Sequence, residues 1–299
     1  MSWAAHQFEI YAVENHLPKR LRGKISFFAI FLGDFTPDFF AKFWVYGFTI
    51  NGTHYGATNP HRWHRGWPGM GFTHTVFLGA IVAAAMWFWK HNPAWAIGYM
   101  LGFAAHALTD INDSIGTMLL FPFSAHNWSI GTWAYAATIE GGKYFDGAAY
   151  YSSLGFVMDT FWLVVVLASW RCLTRDYWRT RIVPPDARAW AWFGRFLSEP
   201  GLLALYRATF FYGVCRLITW TTWAHLIARP TILLPDGTAR TFDGYPWDLS
   251  WGGPWWVTPV RLPHVSPWIV LPTALALLAL IYAIALRVWD RMTAASLVA

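Results

Sequence analysis

Charge and cysteine are what this chain has least of. Only 13% of its 299 residues are charged, about half the share of a typical globular protein. Against that, 56% of the residues are hydrophobic. An ordinary soluble enzyme is excluded by this balance, and so is disorder, because a chain that stays unfolded in water carries little apolar surface. The only cysteines, Cys172 and Cys215, lie in or beside apolar runs, so no disulfide framework is encoded. Lysine is scarce too, 5 residues against 22 tryptophans. A cleavable leader is not expected, because Glu9, Glu14, Lys19, Arg20, Arg22 and Lys24 interrupt the opening segment.

What is present is apolar and aromatic, and it belongs in a bilayer, with tryptophan and tyrosine in the headgroup belts and arginines as topology markers. The expected fold is an all-α integral membrane protein with about six transmembrane helices. The candidate spans are Ile25–Ile50, Phe72–Trp89, Ala94–Phe121, Leu154–Cys172, Leu202–Ile227 and Trp268–Trp289. The net charge of +6 is carried by the loops, and no nucleic acid is expected as a partner. Lys19 to Lys24, Lys90, the six arginines from Arg171 to Arg195, Arg287 and Arg291 fall on one side if all six segments cross. The positive-inside rule makes that side cytoplasmic, with both termini there, in an inner (plasma) membrane. Residues 1–130 read as a chemical core. Residues 131–299 read as additional membrane helices with an amphipathic surface helix at about 187–197 and an outer loop at about 229–267, where Asp236-Gly237 marks a hairpin turn.

Nine of the eleven histidines lie in the first 126 residues, together with Asp34, Asp38, Asp110 and Asp113. An ionisable group within a span costs about 2.5 kcal/mol or more for Asp at the bilayer centre, so it faces a cavity, a partner or an ion. His106, Asp110 and Asp113 share one helix face by their spacing of four and three. That pattern fits either two ligands for one divalent ion or a structural hydrogen-bonded pair. Asp34 and Asp38 bracket Pro37, which is expected to kink or break the first span. Asp34 then either faces a cavity or caps a restarting helix. The segment from His61 through Arg62, His64 and Arg65 to Thr73, His74 and Thr75 runs into a helix start, a place that favours anions. His61 and His64 are also compatible with a solvated loop, and Thr73 or Thr75 with a simple cap.

Depth brings these pieces to one level. At 1.5 Å per residue, Asp38 lies about 21 Å above Lys24, His74 about 22 Å above Trp89, and His106 and Asp110 about 18 and 24 Å above Ala94. A polar His/Asp cluster is therefore expected in the outer half of the first three helices, on the non-cytoplasmic side.

Pro37-Asp38, His64-Arg65-Gly66, Gly71-Phe72-Thr73-His74-Thr75, Gly102, His106, Asp110, Gly116 and Pro122 together resemble the membrane-bound, metal-dependent hydrolases that include the LexA-regulated inner-membrane hydrolases. The likeness spans roughly Asp34 to Pro122. A weaker similarity is to the all-helical zinc-dependent phospholipase C and P1-type nuclease fold. The family pattern also carries a second acid and a histidine where this chain has Phe40 and Ala41, and it has no insertion between the His-Arg-Gly and Thr-His elements. Asp34 and His64 are candidates to replace the two missing groups, and His6 ranks low because the topology leaves it on the cytoplasmic side.

The resemblance implies a metal centre of His74, His106, Asp110, Asp38 and His64, holding zinc or else manganese or magnesium. Arg65, with Arg62 behind it, is expected to neutralise a phosphate. Asp113 or Asp34 is expected to orient a ligand histidine or take a proton. The substrate expected from this location is a membrane lipid or lipid-phosphate ester. Two other classes remain open: a non-catalytic scaffold docked to membrane protein partners, and an ion-coupled transporter using the buried acids with Arg207 and Arg216, one of which is a candidate partner for Asp159.

Overall fold

A computed structural model describes residues 4–40, 47–56, 72–112, 116–126, 128–130, 155–223, 226, 231–233, 239–241 and 267–295. Helix dominates. The first helix, α1 (Ala5–Asn15), is buried on nearly every side. Its N-terminus is capped from far along the chain: the backbone N–H groups of Ala4 and Ala5 donate to the two carboxylate oxygens of Asp159, at 2.8 and 2.9 Å. These are two of the donors that a helix start leaves without partners.

The next helix, α2 (Phe27–Phe40), begins where Ser26 accepts from the N–H of Ala29 and donates its own hydroxyl to Asp186. Asp186 also accepts from the N–H of Phe28. Contrary to expectation, Pro37 neither breaks α2 nor restarts it, and Asp34 lies inside the helix rather than at a cap. The proline removes one hydrogen bond, the one to the Gly33 carbonyl, and packing against the neighbouring helix holds the rest.

That neighbour is α4 (Pro93–Thr109), capped by the Asn92 side chain at Ala94 and Trp95 and joined through a short turn to α3 (Val76–Lys90), which Thr75 caps. Helices α2 and α4 touch backbone to backbone. A methyl group on Gly33 would stand 2.0 Å from the Tyr99 carbonyl oxygen, and one on Gly102 2.0 Å from that of Ile30. Gly98, one turn before Gly102, meets Ala29, one turn before Gly33, so two small-residue stripes interlock as they do in membrane helix pairs. Such an approach places Asp34 beside the turn of α4 that carries His106.

The last residues of the expected first span are strand rather than helix. After α2 the chain forms a hairpin, β1 (Phe48–Ile50) with β2 (Thr53–Tyr55), turned at Asn51 and Gly52, both at positive φ. An Asn-Gly pair suits a turn of this type. The third span also stops, at Thr109, where a single 3-10 turn (Asp110–Asn112) follows. A strap then returns: Thr117 bridges Trp128, and Leu119 and Phe121 accept from the Thr75 hydroxyl at the start of α3. Gly116 sits at φ 63°, with the Trp128 carbonyl where a side chain would be, so glycine is required there.

The second half supplies α5 (Gly155–Ala168), a basic segment with π-helix at Trp178–Ile182, the short surface helix α6 (Ala187–Phe193), and two long helices, α7 (Glu199–Trp223) and α8 (Pro267–Ala295). Helix α6 lays Trp190 on Phe28 and leaves Trp192 exposed. A hairpin, β3 (Thr231–Leu233) with β4 (Ala239–Thr241), lies in the expected outer loop. Among the described residues, α7 and α8 are the helices long and apolar enough to cross a membrane. The others are apolar helices of 14, 15, 17 and 14 residues for α2 through α5.

Helix α1 sits against α2, α4, α5 and α7. Phe8 and Tyr11 pack edge-on against Phe210, and α7 crosses α1 at Gly213. The basic connection from α1 to α2 meets the far end of α8, where Arg20 pairs with Asp290 at 2.9 Å and Lys24 lies over the Trp289 ring. Arg181 packs on Gly23 of the same connection. Three basic groups expected on one side thus share one end of the molecule. Arg207, a candidate partner for Asp159, instead donates to the Leu173 carbonyl at 2.7 Å.

Candidate metal centre

Three helices and one 3-10 turn bring their ionisable side chains to one point. Asp34 and Asp38 come from α2, His106 from α4, Asp110 from the C-cap of α4, and His74 from the 3-10 turn (Phe72–His74) before α3. Helix α1 adds His6 and Glu9. All are buried, His74, Asp110 and Glu9 at 0% exposure and His106 at 1%.

The geometry centres on the Asp110 carboxylate. Its Oδ1 lies 3.3 Å from His6 Nε2, and its Oδ2 lies 3.3 Å from His74 Nε2 and 3.5 Å from His106 Nε2. The rings of His6 and His106 are stacked in parallel, with centroids 3.8 Å apart and planes within 6°. Both rings turn the opposite edge, Nδ1, to Asp34 Oδ1, at 3.8 and 4.0 Å. His6 Nδ1 also meets Glu9 at 3.2 Å. The Thr73 hydroxyl holds His74 Nδ1 at 2.8 Å, which leaves Nε2 to face Asp110.

Three observations fit this centre to a divalent cation. First, close approach does not become hydrogen bonding: His6 Nε2, both ring nitrogens of His106, Asp34 Oδ1 and Glu9 Oε1 are buried without a hydrogen-bond partner. Second, the spacing is that of ligands around an ion, since tetrahedral bonds of 2.0–2.1 Å set donor atoms about 3.3 Å apart. Two triads, His6 with Asp34 and His106, and Asp38 with His74 and His106, each have ligand atoms within 4.8 Å of one another. Third, four carboxylates meet only three imidazoles. Among the described residues, the ion-pair partners of Glu9 and Asp34 are histidines. Buried charge on this scale needs a counter-ion.

Of the residues expected from sequence, Asp34, Asp38, His74, His106 and Asp110 converge. His64, Arg65 and Asp113, like Arg62 and His61, lie outside the described residues. His6 corrects the expected topology. Rather than staying at the basic end, α1 climbs away from Lys19 to Lys24 and delivers His6 to the cluster, so Ala4 and Ala5 lie at the level of the centre, not at the end where both termini were expected. Glu9 went unnoticed in the sequence, although His6 and Glu9 at i and i+3 of one helix were a signal. The cysteines take no part: Cys172 is buried and Cys215 exposed, both as free thiols.

The chain matches no family model, no curated protein and no solved structure. The functional reading therefore rests on the centre and its surroundings.

Proposed function

We propose that this chain is a membrane-embedded, metal-dependent hydrolase acting on an ester or phosphoester of a membrane lipid or lipid-linked molecule. The observation that carries the reading is the convergence of His74 and His106 Nε2 on the Asp110 carboxylate, in a buried cluster with Asp38. These four residues hold the cation, zinc in first place for a mixed nitrogen and oxygen set, with manganese and magnesium as alternatives. A bound divalent ion supplies Lewis acidity and makes water a nucleophile near neutral pH. The protein's own part is positional. Thr73 fixes the ring of His74, and Asp34, 4.0 Å from Nδ1 of His106, is the carboxylate placed to take up a proton at the centre. Arg65 and His64, just ahead of the His74 turn in sequence, are the groups assigned to a substrate phosphate and to the centre's outer side, with Asp113 as a second proton acceptor.

A bilayer location is supported by α7 and α8 and by the apolar side chains that face outward on them, such as Phe211, Ile218, Leu275 and Ile284. With the basic end in the cytoplasm, the centre lies toward the non-cytoplasmic side of an inner membrane. A second reading, a metal-stapled scaffold for other membrane proteins, draws support from the near-zero exposure of His74, His106 and Asp110, since structural sites are closed and catalytic ones open.

The test is elemental analysis of protein purified in detergent without chelators, for the wild type and for His106→Ala combined with Asp110→Ala. The expected result is at least about one equivalent of transition metal, lost in the double variant. No stoichiometric metal after incubation with zinc or manganese sinks the hydrolase. Metal retained without turnover of any lipid phosphoester leaves the scaffold.

A further inference from the structure

Helix α1 stands apart from the other contributors to the centre. It arrives from the basic end on a single connection, is buried throughout, and carries acids toward a site already rich in them. We propose that α1 is a ligand-bearing arm: His6 is itself a cation ligand, and the bound cation is what keeps the first two turns of α1 docked. This rests on the reading that the centre binds a divalent ion, and it goes beyond that reading by coupling the ion to the position of a helix.

The geometry of His6 is that of a ligand. Its Nε2 lies 3.3 Å from Asp110 Oδ1, while His74 and His106 approach Oδ2, and it makes no hydrogen bond. Stacking on His106 at 3.8 Å fixes the ring plane, so the two Nε2 atoms face the same carboxylate side by side. Glu9, a turn further on, fixes Nδ1 at 3.2 Å, the outer contact that orients a metal-ligating histidine. Asp159 pins Ala4 and Ala5 and so sets how far along its axis α1 presents His6.

The coupling follows from charge. Docking α1 buries Glu9 at 0% exposure beside a cluster that already holds Asp34, Asp38 and Asp110. Without a cation, seating the N-terminal part of α1 leaves four buried carboxylates facing three imidazoles. With one, His6 gains a bond and the acids gain a counter-charge. The C-terminal part of α1 is held differently, by Tyr11 against Phe27, Tyr206 and Phe210, and does not depend on the ion. Cation removal is thus expected to loosen Ala4 to Glu9 and to leave Tyr11 to Asn15 in place.

Hydrogen–deuterium exchange of the full chain in detergent, with zinc and with chelator, reads this gradient, alongside zinc affinity by competition with a chromophoric chelator. Chelation should speed exchange at residues 5–9 by about tenfold or more, with a much smaller change at residues 11–15 and in α2. His6→Ala should reproduce that loosening with zinc present and weaken zinc binding by about tenfold or more. Glu9→Gln, which removes a charge and keeps the fold, should leave the first turns of α1 protected even under chelator. Zinc bound at the centre with wild-type affinity in His6→Ala, and α1 exchange indifferent to chelator, overturns the arm while leaving the metal centre standing. A wild type that binds no zinc, manganese or magnesium overturns both.

Discussion

The helices α2 to α4 and the long helices α7 and α8 are all built from apolar sequences, yet they spend their side chains in opposite directions. The first group turns histidine and carboxylate inward and closes its backbones over them at Gly33, Gly98 and Gly102. The second buries one narrow stripe each: Leu202, Tyr206, Phe210, Gly213 and Leu217 on α7, and Val270, Ala274, Ile281 and Ala285 on α8. Much of the rest of their surface is exposed, up to 90% at Trp268, with half-buried side chains such as Val214 and Leu277 at the margins. Hydrophobicity alone therefore does not say what a helix does here. Inward, it insulates a costly polar centre; outward, it meets a solvent that is itself apolar.

That contrast can be broken at four places. The largest effect is expected at the crossing: Gly102→Ala sets a methyl 2.0 Å from the Ile30 carbonyl oxygen, where backbone cannot yield. A loss of about 4 kcal/mol or more, seen as failure to recover monodisperse protein, is the expected outcome. Glu14, at the inner end of α1, comes next. Burial pushes its carboxyl up to about 7, against the lowering effects of the Tyr177 hydroxyl, Arg181 and Arg22. The neutral form is thus favoured in the folded chain. Its contribution is complete below the unfolded value of about 4.5 and is lost as pH rises to about 7. Glu14→Gln should flatten thermal stability across that window and exceed the wild type above it by up to about 3 kcal/mol.

Asp159→Ala should cost about 2 kcal/mol by stranding the N–H groups of Ala4 and Ala5, measurable as a shift in the denaturation midpoint. The smallest effect belongs to the outward face. Leu275, 59% exposed on α8, should tolerate Leu275→Ala within about 0.5 kcal/mol in detergent. A large loss there would show that α8 is packed against a partner and would erase the distinction between the two groups.

How far the sequence could be read follows the same division. The outward helices were plain because a long apolar run needs no knowledge of what lies beside it, and Leu202–Ile227 and Trp268–Trp289 fall on α7 and α8. Much of the centre was legible as well. The spacing of His106 and Asp110 is local, and counting residues from the basic ends brought Asp38 and His74 to the same level. Helix α1 was not legible, because its burial depends on Asp159, Tyr206, Phe210 and Gly213, more than 150 residues away. Taken alone, a stretch with Glu9, Glu14 and a basic tail looks like an interfacial lead-in. Pro37 misled for a related reason, since the rule that proline ends a helix is local and the packing of α2 on α4 outweighs one missing bond. The hairpin at Asn51-Gly52 announced itself in the sequence but was swallowed by the apolar run before it.

The tether between Asp159 and the start of α1 also has a consequence for how the molecule comes into being. Ala4 and its partner are separated by 155 positions, and the stacked pair His6 and His106 by 100. During synthesis α1 emerges ahead of α2, α4, α5 and α7, and the set of surfaces it rests on is complete only once α7 has been made. Contacts of such long sequence separation are slow to close and leave early intermediates exposed. Until α7 is in place α1 lacks part of its seat, and an unseated α1 leaves the centre without His6 and Glu9.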